Sequence, residues 1–136
     1  LDLIKGLGGA LVREKVVAHA SKVVIIVVDE TKLTGRLGRN TPIPVEVVPF
    51  AADVVRRQLA LWGGDSKIRE REGKPFFSDN GNLILDWSHG LIDQPWALEK
   101  QLKGVTGIVD SGIFAHVANR VIAATSSGIR KLERPA

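Results

Sequence analysis

The apolar and polar positions of the chain sort into alternating strand-like and helix-like segments. Residues 1–4, Leu-Asp-Leu-Ile, alternate as a strand does, and residues 9–20 follow with helical spacing. The longest apolar run is Val23-Val24-Ile25-Ile26-Val27-Val28. Its consecutive β-branched residues predict a strand buried on both faces, so residues 1–28 read as a βαβ unit of the sort used in parallel sheets. A loop over 29–41, with Gly35, Gly38 and Asn40, leads to a strand at 44–48. An amphipathic helix over 51–62 follows and stops at Gly63-Gly64. Strands over 66–71 and 82–87 flank a hairpin turn at Asp79-Asn80-Gly81. A helix over 95–103 and a strand over 105–113 complete βαββαβ, the element order of a ferredoxin-like layer. Two further strands, 119–124 and 128–132, close the chain.

One polar position interrupts the helical pattern. At about 100° per residue, Glu14 falls among Ala10, Leu11, Val17 and Ala18 on the apolar side of the first helix. The pattern therefore predicts a carboxylate facing the interior, with no cation offered by its own helix. Burial raises a carboxyl pKa toward the range useful to a general base near neutral pH. Just upstream, Lys5-Gly6-Leu7-Gly8-Gly9 places bare backbone N–H groups at the helix N-terminus, where anions are favoured. Carboxylate, lysine and anion cradle together point to proton-transfer chemistry. The competing readings are an ion pair between Glu14 and an arginine from elsewhere in the fold, and plain turns at the glycines.

These residues carry a family resemblance. Lys5-Gly6-Leu7-Gly8-Gly9-Ala10-Leu11-Val12-Arg13-Glu14-Lys15 resembles the lysine–glycine-rich active-site segment of type A ribose-5-phosphate isomerases. Val27-Val28-Asp29-Glu30-Thr31-Lys32, Pro44-Val45-Glu46-Val47-Val48-Pro49-Phe50 and residues 125–131 resemble later segments of the same family. Two of its motifs, a phosphate-gripping Thr-Gly-Ser-Thr loop and an Asp-Gly-Ala-Asp segment, do not occur in the sequence. The expectation is a C-terminal portion of such an enzyme, in line with the lack of any Met and with an opening that reads as the end of a strand.

The resemblance implies an α/β fold: a partial Rossmann-like parallel sheet with an inserted ferredoxin-like βαββαβ subdomain. Residues 1–41 would belong to the α/β catalytic domain, 42–113 to the insertion and 114–136 to return strands of the first domain. A strand such as 23–28 then needs neighbours that a single helix in 1–41 cannot supply. The expectation is that this chain alone exposes an apolar sheet surface and self-associates or is marginally folded. The implied reaction interconverts ribose 5-phosphate and ribulose 5-phosphate through an enediolate, with this portion inactive by itself. Glu14 matches the family's proton acceptor, Lys5 a substrate-contacting lysine, Gly6, Leu7 and Gly8 the substrate loop, and Lys32 a further substrate-binding lysine. No cofactor and no metal is implied, and the complete form is expected to be a homodimer or homotetramer. Leu7 departs from the family's usual glycine, so a positive φ there would cost about 1–2 kcal/mol.

Composition narrows the classes further. With 44% hydrophobic and 25% charged residues the chain has the balance of a globular domain. No apolar run approaches the roughly 18 residues of a membrane span. Absence of Cys removes disulfides and thiolate chemistry and fits a cytoplasmic protein. A net charge of +4 suits a phosphorylated small molecule and is too small to name nucleic acid as the partner. His19, His89 and His116 are scattered without ligand spacing, and Trp62, Trp87 and Trp96 read as packing residues. The mixed-charge run over 67–74 and Arg56-Arg57 read as solvated faces, while Arg130-Lys131 could meet an anion or another subunit. A ferredoxin-like layer also builds RNA-binding modules, but Phe76, Phe77 and Trp87 lack their signature. A sugar-phosphate sensor without turnover is the better alternative. Such a sensor could dispense with the base, which Glu14 retains.

Overall fold

The computed structural model describes residues 1–135. At its centre is a four-stranded antiparallel sheet built from β3 (Ile43–Val47), β4 (Asp65–Ile68), β7 (Leu83–Ser88) and β8 (Ile108–Ser111), in the order β4-β7-β3-β8. Helices α2 (Ala52–Leu61) and α3 (Pro95–Lys103) are the crossovers of its two halves. This is the ferredoxin-like layer expected from the element order. One face of the sheet carries Ile43, Val45, Val47, Leu83, Leu85 and Trp87, which pack against Val55, Leu59 and Leu102 of the two helices. The Trp87 indole N–H donates to the Gly63 carbonyl at 2.9 Å, so the largest core side chain is also hydrogen-bonded. Trp62 packs tilted against it with ring centroids 6.3 Å apart, whereas Trp96 is exposed.

Strand β3 is buried at every position, so its second face is covered too. The cover is helix α1 (Leu11–Ala20), which contacts β3 and β8. Here the apolar-face reading of α1 fails. Its buried positions are Leu11 and Lys15, one turn apart, while Val16 and Val17 are exposed. The Lys15 ammonium bonds Glu99 at 2.7 Å, Asp110 at 2.6 Å and the Ser111 carbonyl at 2.8 Å. Three acceptors around one ammonium satisfy all of its donors, which is what burial of a charge demands.

The same face buries Glu46, whose Oε1 accepts from the Ser78 hydroxyl at 2.7 Å and from the Asn80 and Asn82 amides at 3.1 and 3.0 Å. These bonds hold the 78–82 turn over the sheet. Arg13 reaches that turn from α1, donating to Asn80 and to the Asp79 carbonyl. The connection into this turn differs from a simple hairpin. Strand β4 stops at Ile68, and a separate hairpin of β5 (Glu70–Arg71) and β6 (Lys74–Pro75) intervenes before the chain returns as β7.

The second sheet is three-stranded, β11-β10-β2, with β2 (Ile25–Asp29) parallel to β10 (Arg120–Thr125) and β10 antiparallel to β11 (Gly128–Glu133). The return of the final strands to the sheet of the 23–28 run is as expected. Three expectations are corrected. The first strand, β1 (Leu3–Ile4), pairs antiparallel with β9 (Ile113–Phe114) rather than standing beside β2. Strand β2 is not buried on both faces, because its residues alternate between exposed and half-buried. The strand predicted over 105–113 is likewise broken, into β8 and β9 with Gly112 between them.

Candidate active site

The segment Gly6–Gly9 joins β1 to α1, and its shape follows from two close approaches. Gly6 has φ +97° and Gly9 has φ +87°, backbone conformations that L side chains rarely adopt. A Cβ on Gly6 would stand 2.7 Å from that of Leu11, and one on Gly9 would stand 2.4 Å from the Phe76 ring. The Gly9 N–H closes the turn on the Gly6 carbonyl at 3.0 Å, and Lys5 is anchored by its own N–H to the Gly112 carbonyl at 2.8 Å. Leu7 is not among the residues of positive φ, so the strain that a left-handed leucine would carry is absent.

Helix α1 starts beyond this loop without a side-chain cap, leaving its first-turn N–H groups pointed at the loop. One turn in, Glu14 turns back toward β1, with its Oε1 3.1 Å from the Lys5 ammonium. The expectation of an interior carboxylate without a cation is corrected here. The Glu14 side chain is 37% exposed, and its cation comes from the preceding loop instead of from its own helix. What the geometry supplies is a solvent-accessible carboxylate beside an ammonium.

Lys32 comes from a third segment. After β2 the chain makes a short 3-10 turn, Glu30–Lys32, capped by Asp29, whose carboxylate accepts from the Thr31 N–H at 2.9 Å and from the Thr31 hydroxyl. Those bonds hold the Asp29 carboxyl below its ordinary pKa, the hydroxyl contributing most, then the amide. The capped turn presents Lys32 to the space in front of β2. Lys5, Gly6, Leu7, Gly8, Glu14 and Lys32 line one cleft of about 820 Å³, together with Ile26 and Val28 of β2 and the 33–41 loop. Residues more than 25 positions apart in sequence are thus brought to one concavity, where the Lys5 and Lys32 ammonium groups and the glycine loop meet the carboxylates of Glu14, Asp2 and Asp93. The 33–41 loop adds Arg36, ion-paired with Asp93, and Arg39.

Four cationic side chains against three carboxylates along this cleft suit a small anion. A family profile described as ribose 5-phosphate isomerase A (phosphoriboisomerase A) matches residues 1–128. The chain belongs to the ribose 5-phosphate isomerase A family. It is 47% identical over 135 residues to ribose-5-phosphate isomerase A of Thermomicrobium roseum, covering 98% of this chain and 57% of that protein. A solved D-ribose-5-phosphate isomerase in complex with phospho-erythronic acid superposes with a TM-score of 0.96 at 38% identity, covering 98% of this chain and 59% of the other. The ribose 5-phosphate isomerase A of Methanocaldococcus jannaschii gives 0.93 at 40% identity, covering 98% and 60%. The chain thus spans a little under three-fifths of the length of the Thermomicrobium relative. It carries the partial Rossmann-like sheet and the inserted ferredoxin-like layer of the ribose 5-phosphate isomerase A fold.

Reading the sequence for isomerase features misses Arg69. Within the mixed-charge run 67–74, taken as a solvated face, Arg69 is largely buried and bonds both oxygens of Asp86, at 2.9 and 2.7 Å. Its remaining terminal nitrogen donates to the Gly6 and Leu7 carbonyls at 2.8 and 3.1 Å. The one sequence signal for this is an arginine just past a strand, diagonal to an aspartate of the neighbouring strand whose direct partner is Lys67. The histidines stay outside the cleft, and His116 serves a turn, with φ +60° and its N–H donated to Asp2 at 2.9 Å.

Proposed function

We propose that the polypeptide carrying this chain is an aldose–ketose isomerase that interconverts D-ribose 5-phosphate and D-ribulose 5-phosphate. The single observation that carries the reading is the convergence of Lys5, the Gly6–Leu7–Gly8 loop, Glu14 and Lys32 on one cleft. Membership of the family and the phospho-erythronic acid bound by a relative support it. In this reading Glu14 takes the proton from C2 of the open-chain aldose. Electrons move into the C1–C2 bond, and negative charge develops on O1, the former carbonyl oxygen. The Lys5 ammonium and the loop N–H groups stabilise that charge. The O2 hydroxyl proton passes to O1, and Glu14 returns its proton to C1, leaving the carbonyl at C2. Oxidation at C2 balances reduction at C1, so no external electron carrier enters. Lys32 contributes a cation for the substrate's anionic end.

The division into residues 1–41, 42–113 and 114–136 is part of this proposal, supported by the parallel pairing of β2 with β10 across the inserted sheet. So are a cytoplasmic location, a homodimeric or homotetrameric complete form, with exposed Phe50, Leu61 and Trp96 as contact candidates, and inactivity of residues 1–136 on their own. The test is conversion of ribose 5-phosphate by the complete polypeptide and by its Glu14→Gln variant. A loss of roughly 10²- to 10⁴-fold in kcat with substrate still bound is expected of a missing general base. Binding without turnover in the unaltered protein would replace this reading with that of a sugar-phosphate sensor.

A further inference from the structure

Resting on that reading, we propose that Arg69, locked by Asp86, is a positioning residue that aims the Leu7 and Gly8 N–H groups into the cleft as a pair of anion donors. Four of the five guanidinium N–H donors are engaged. Nε and Nη2 grip the two Asp86 oxygens at 2.9 and 2.7 Å, and Nη1 holds the Gly6 and Leu7 carbonyls at 2.8 and 3.1 Å. The backbone of Arg69 is itself fixed on both sides, by its N–H to the Ile84 carbonyl and by its carbonyl to the Phe76 N–H, each at 2.8 Å. A trans peptide points its C=O and N–H in opposite directions. Holding the Gly6 carbonyl toward Arg69 therefore turns the Leu7 N–H away from it, and holding the Leu7 carbonyl does the same to the Gly8 N–H. Both residues line the cleft, and among the described residues neither N–H meets an acceptor from the protein.

A glycine-rich loop needs such an external clamp, because Gly6 and Gly8 give it conformational freedom that would otherwise blur the direction of its donors. The clamp comes from the four-stranded sheet. The Gly9 contact with Phe76 brings a second side chain from the same side of the molecule against the loop. Arginine is required rather than lysine, since only a planar fork can satisfy two carboxylate oxygens and two carbonyls at once.

The experiment compares Arg69→Gln, Arg69→Lys and Asp86→Asn in the complete polypeptide, reading isomerisation and amide hydrogen exchange at Gly9, whose N–H shares the Gly6 carbonyl with Arg69. Loop misalignment should lower kcat/KM about 10²-fold in Arg69→Gln. Gly9 exchange should quicken about tenfold or more, with exchange in β4 and β7 little changed. Asp86→Asn, nearly isosteric, keeps the shape of the pair and should give a smaller change of the same kind, and Arg69→Lys should not rescue. Unchanged Gly9 exchange and unchanged kcat/KM in Arg69→Gln and Asp86→Asn, with only a lower melting temperature, would reduce the pair to a strand staple and overturn the proposal. Absence of turnover in the unaltered protein would sink the isomerase reading instead, and Gly9 exchange would still decide the clamp.

Discussion

The Lys5 ammonium stands 3.1 Å from Glu14 Oε1, across the mouth of the loop that joins β1 to α1. In the proposed reaction a cation this close to the base would serve two ends: orienting the carboxylate in the free protein and meeting the oxyanion once substrate intervenes. Lys5→Met should therefore cost more than a lost surface ion pair. The expected fall is roughly 10²- to 10³-fold in kcat, the scale of removing one oxyanion-stabilising donor. A KM effect alone, with kcat intact, would assign Lys5 to binding only.

Burial of Lys15 makes a prediction of stability instead of activity. Its side chain is 3% exposed and holds Glu99 and Asp110 together, joining α1 to α3 and β8. Lys15→Met leaves two carboxylates in a largely buried site with Lys103, 3.7 Å from Asp110, as the one remaining cation of that cluster. The expected loss is about 3–5 kcal/mol in urea unfolding, the usual penalty for breaking a buried ion pair from one side. Replacing Glu99 and Asp110 by their amides in the same background should restore much of it. No restoration would mean that the contact of the Lys15 ammonium with the Phe114 ring, 4.9 Å from its centroid, carries the stability.

Gly9 tests the packing of the loop. Gly9→Ala introduces a Cβ 2.4 Å from the Phe76 ring at a φ of +87°. The backbone term alone is about 1–2 kcal/mol, and displacement of the ring adds to it. Trimming the ring with Phe76→Leu should recover only the steric part, so the double variant should still melt below Phe76→Leu. Equal melting temperatures for those two proteins would show that the loop relaxes to a negative φ.

Much of this arrangement is legible in the sequence, and the failures share a cause. Turn chemistry and β-branched runs locate the strands, and the ferredoxin-like order follows from them. The Lys5 loop and Glu14 stand out by residue type, and Lys32 only through the family resemblance. What periodicity does not show is which face of α1 is buried. Apolar residues occur on more than one side of α1, and its inner stripe, Leu11 and Lys15, is half charged because the acids that neutralise Lys15 lie 84 and 95 residues away. Arg69 is hidden for the same reason: its partners are Asp86 and two loop carbonyls 62 and 63 residues upstream. Local pattern sees propensity, whereas a buried charge is explained only by its distant partner.

Asp29 gives the acid dependence of the Lys32 turn. Its carboxyl is held below the usual aspartate range by the Thr31 hydroxyl and amide. A depressed folded-state pKa means that the ionised cap stabilises the fold above the unfolded-state value, about 3.9. That contribution is lost as pH falls through the lower, folded-state value. Asp29→Asn should remove this part of the acid sensitivity, and NMR of Thr31 should show its amide shift titrating below the ordinary aspartate range in the unaltered protein. A Thr31 amide that titrates at or above that range would contradict the cap.

The outer side of β2 predicts the solution behaviour of residues 1–136. Ile25 and Val27 point outward, the latter 74% exposed, and the exposed Val17 and Val23 line one surface hollow with Ile25. Strand β2 pairs only with β10 among the described strands, so its other edge also offers free backbone groups. An apolar face beside an open edge favours association, each side chain covered contributing about 1.5–3 kcal/mol. Residues 1–136 should sediment as dimers or larger species at micromolar concentration. Val23→Lys with Val27→Lys should shift them toward monomer without lowering the melting temperature, because neither side chain packs in the monomer. A monodisperse monomer that melts cooperatively before any substitution would show that the face is tolerated in water, and the strand would then need no cover to fold.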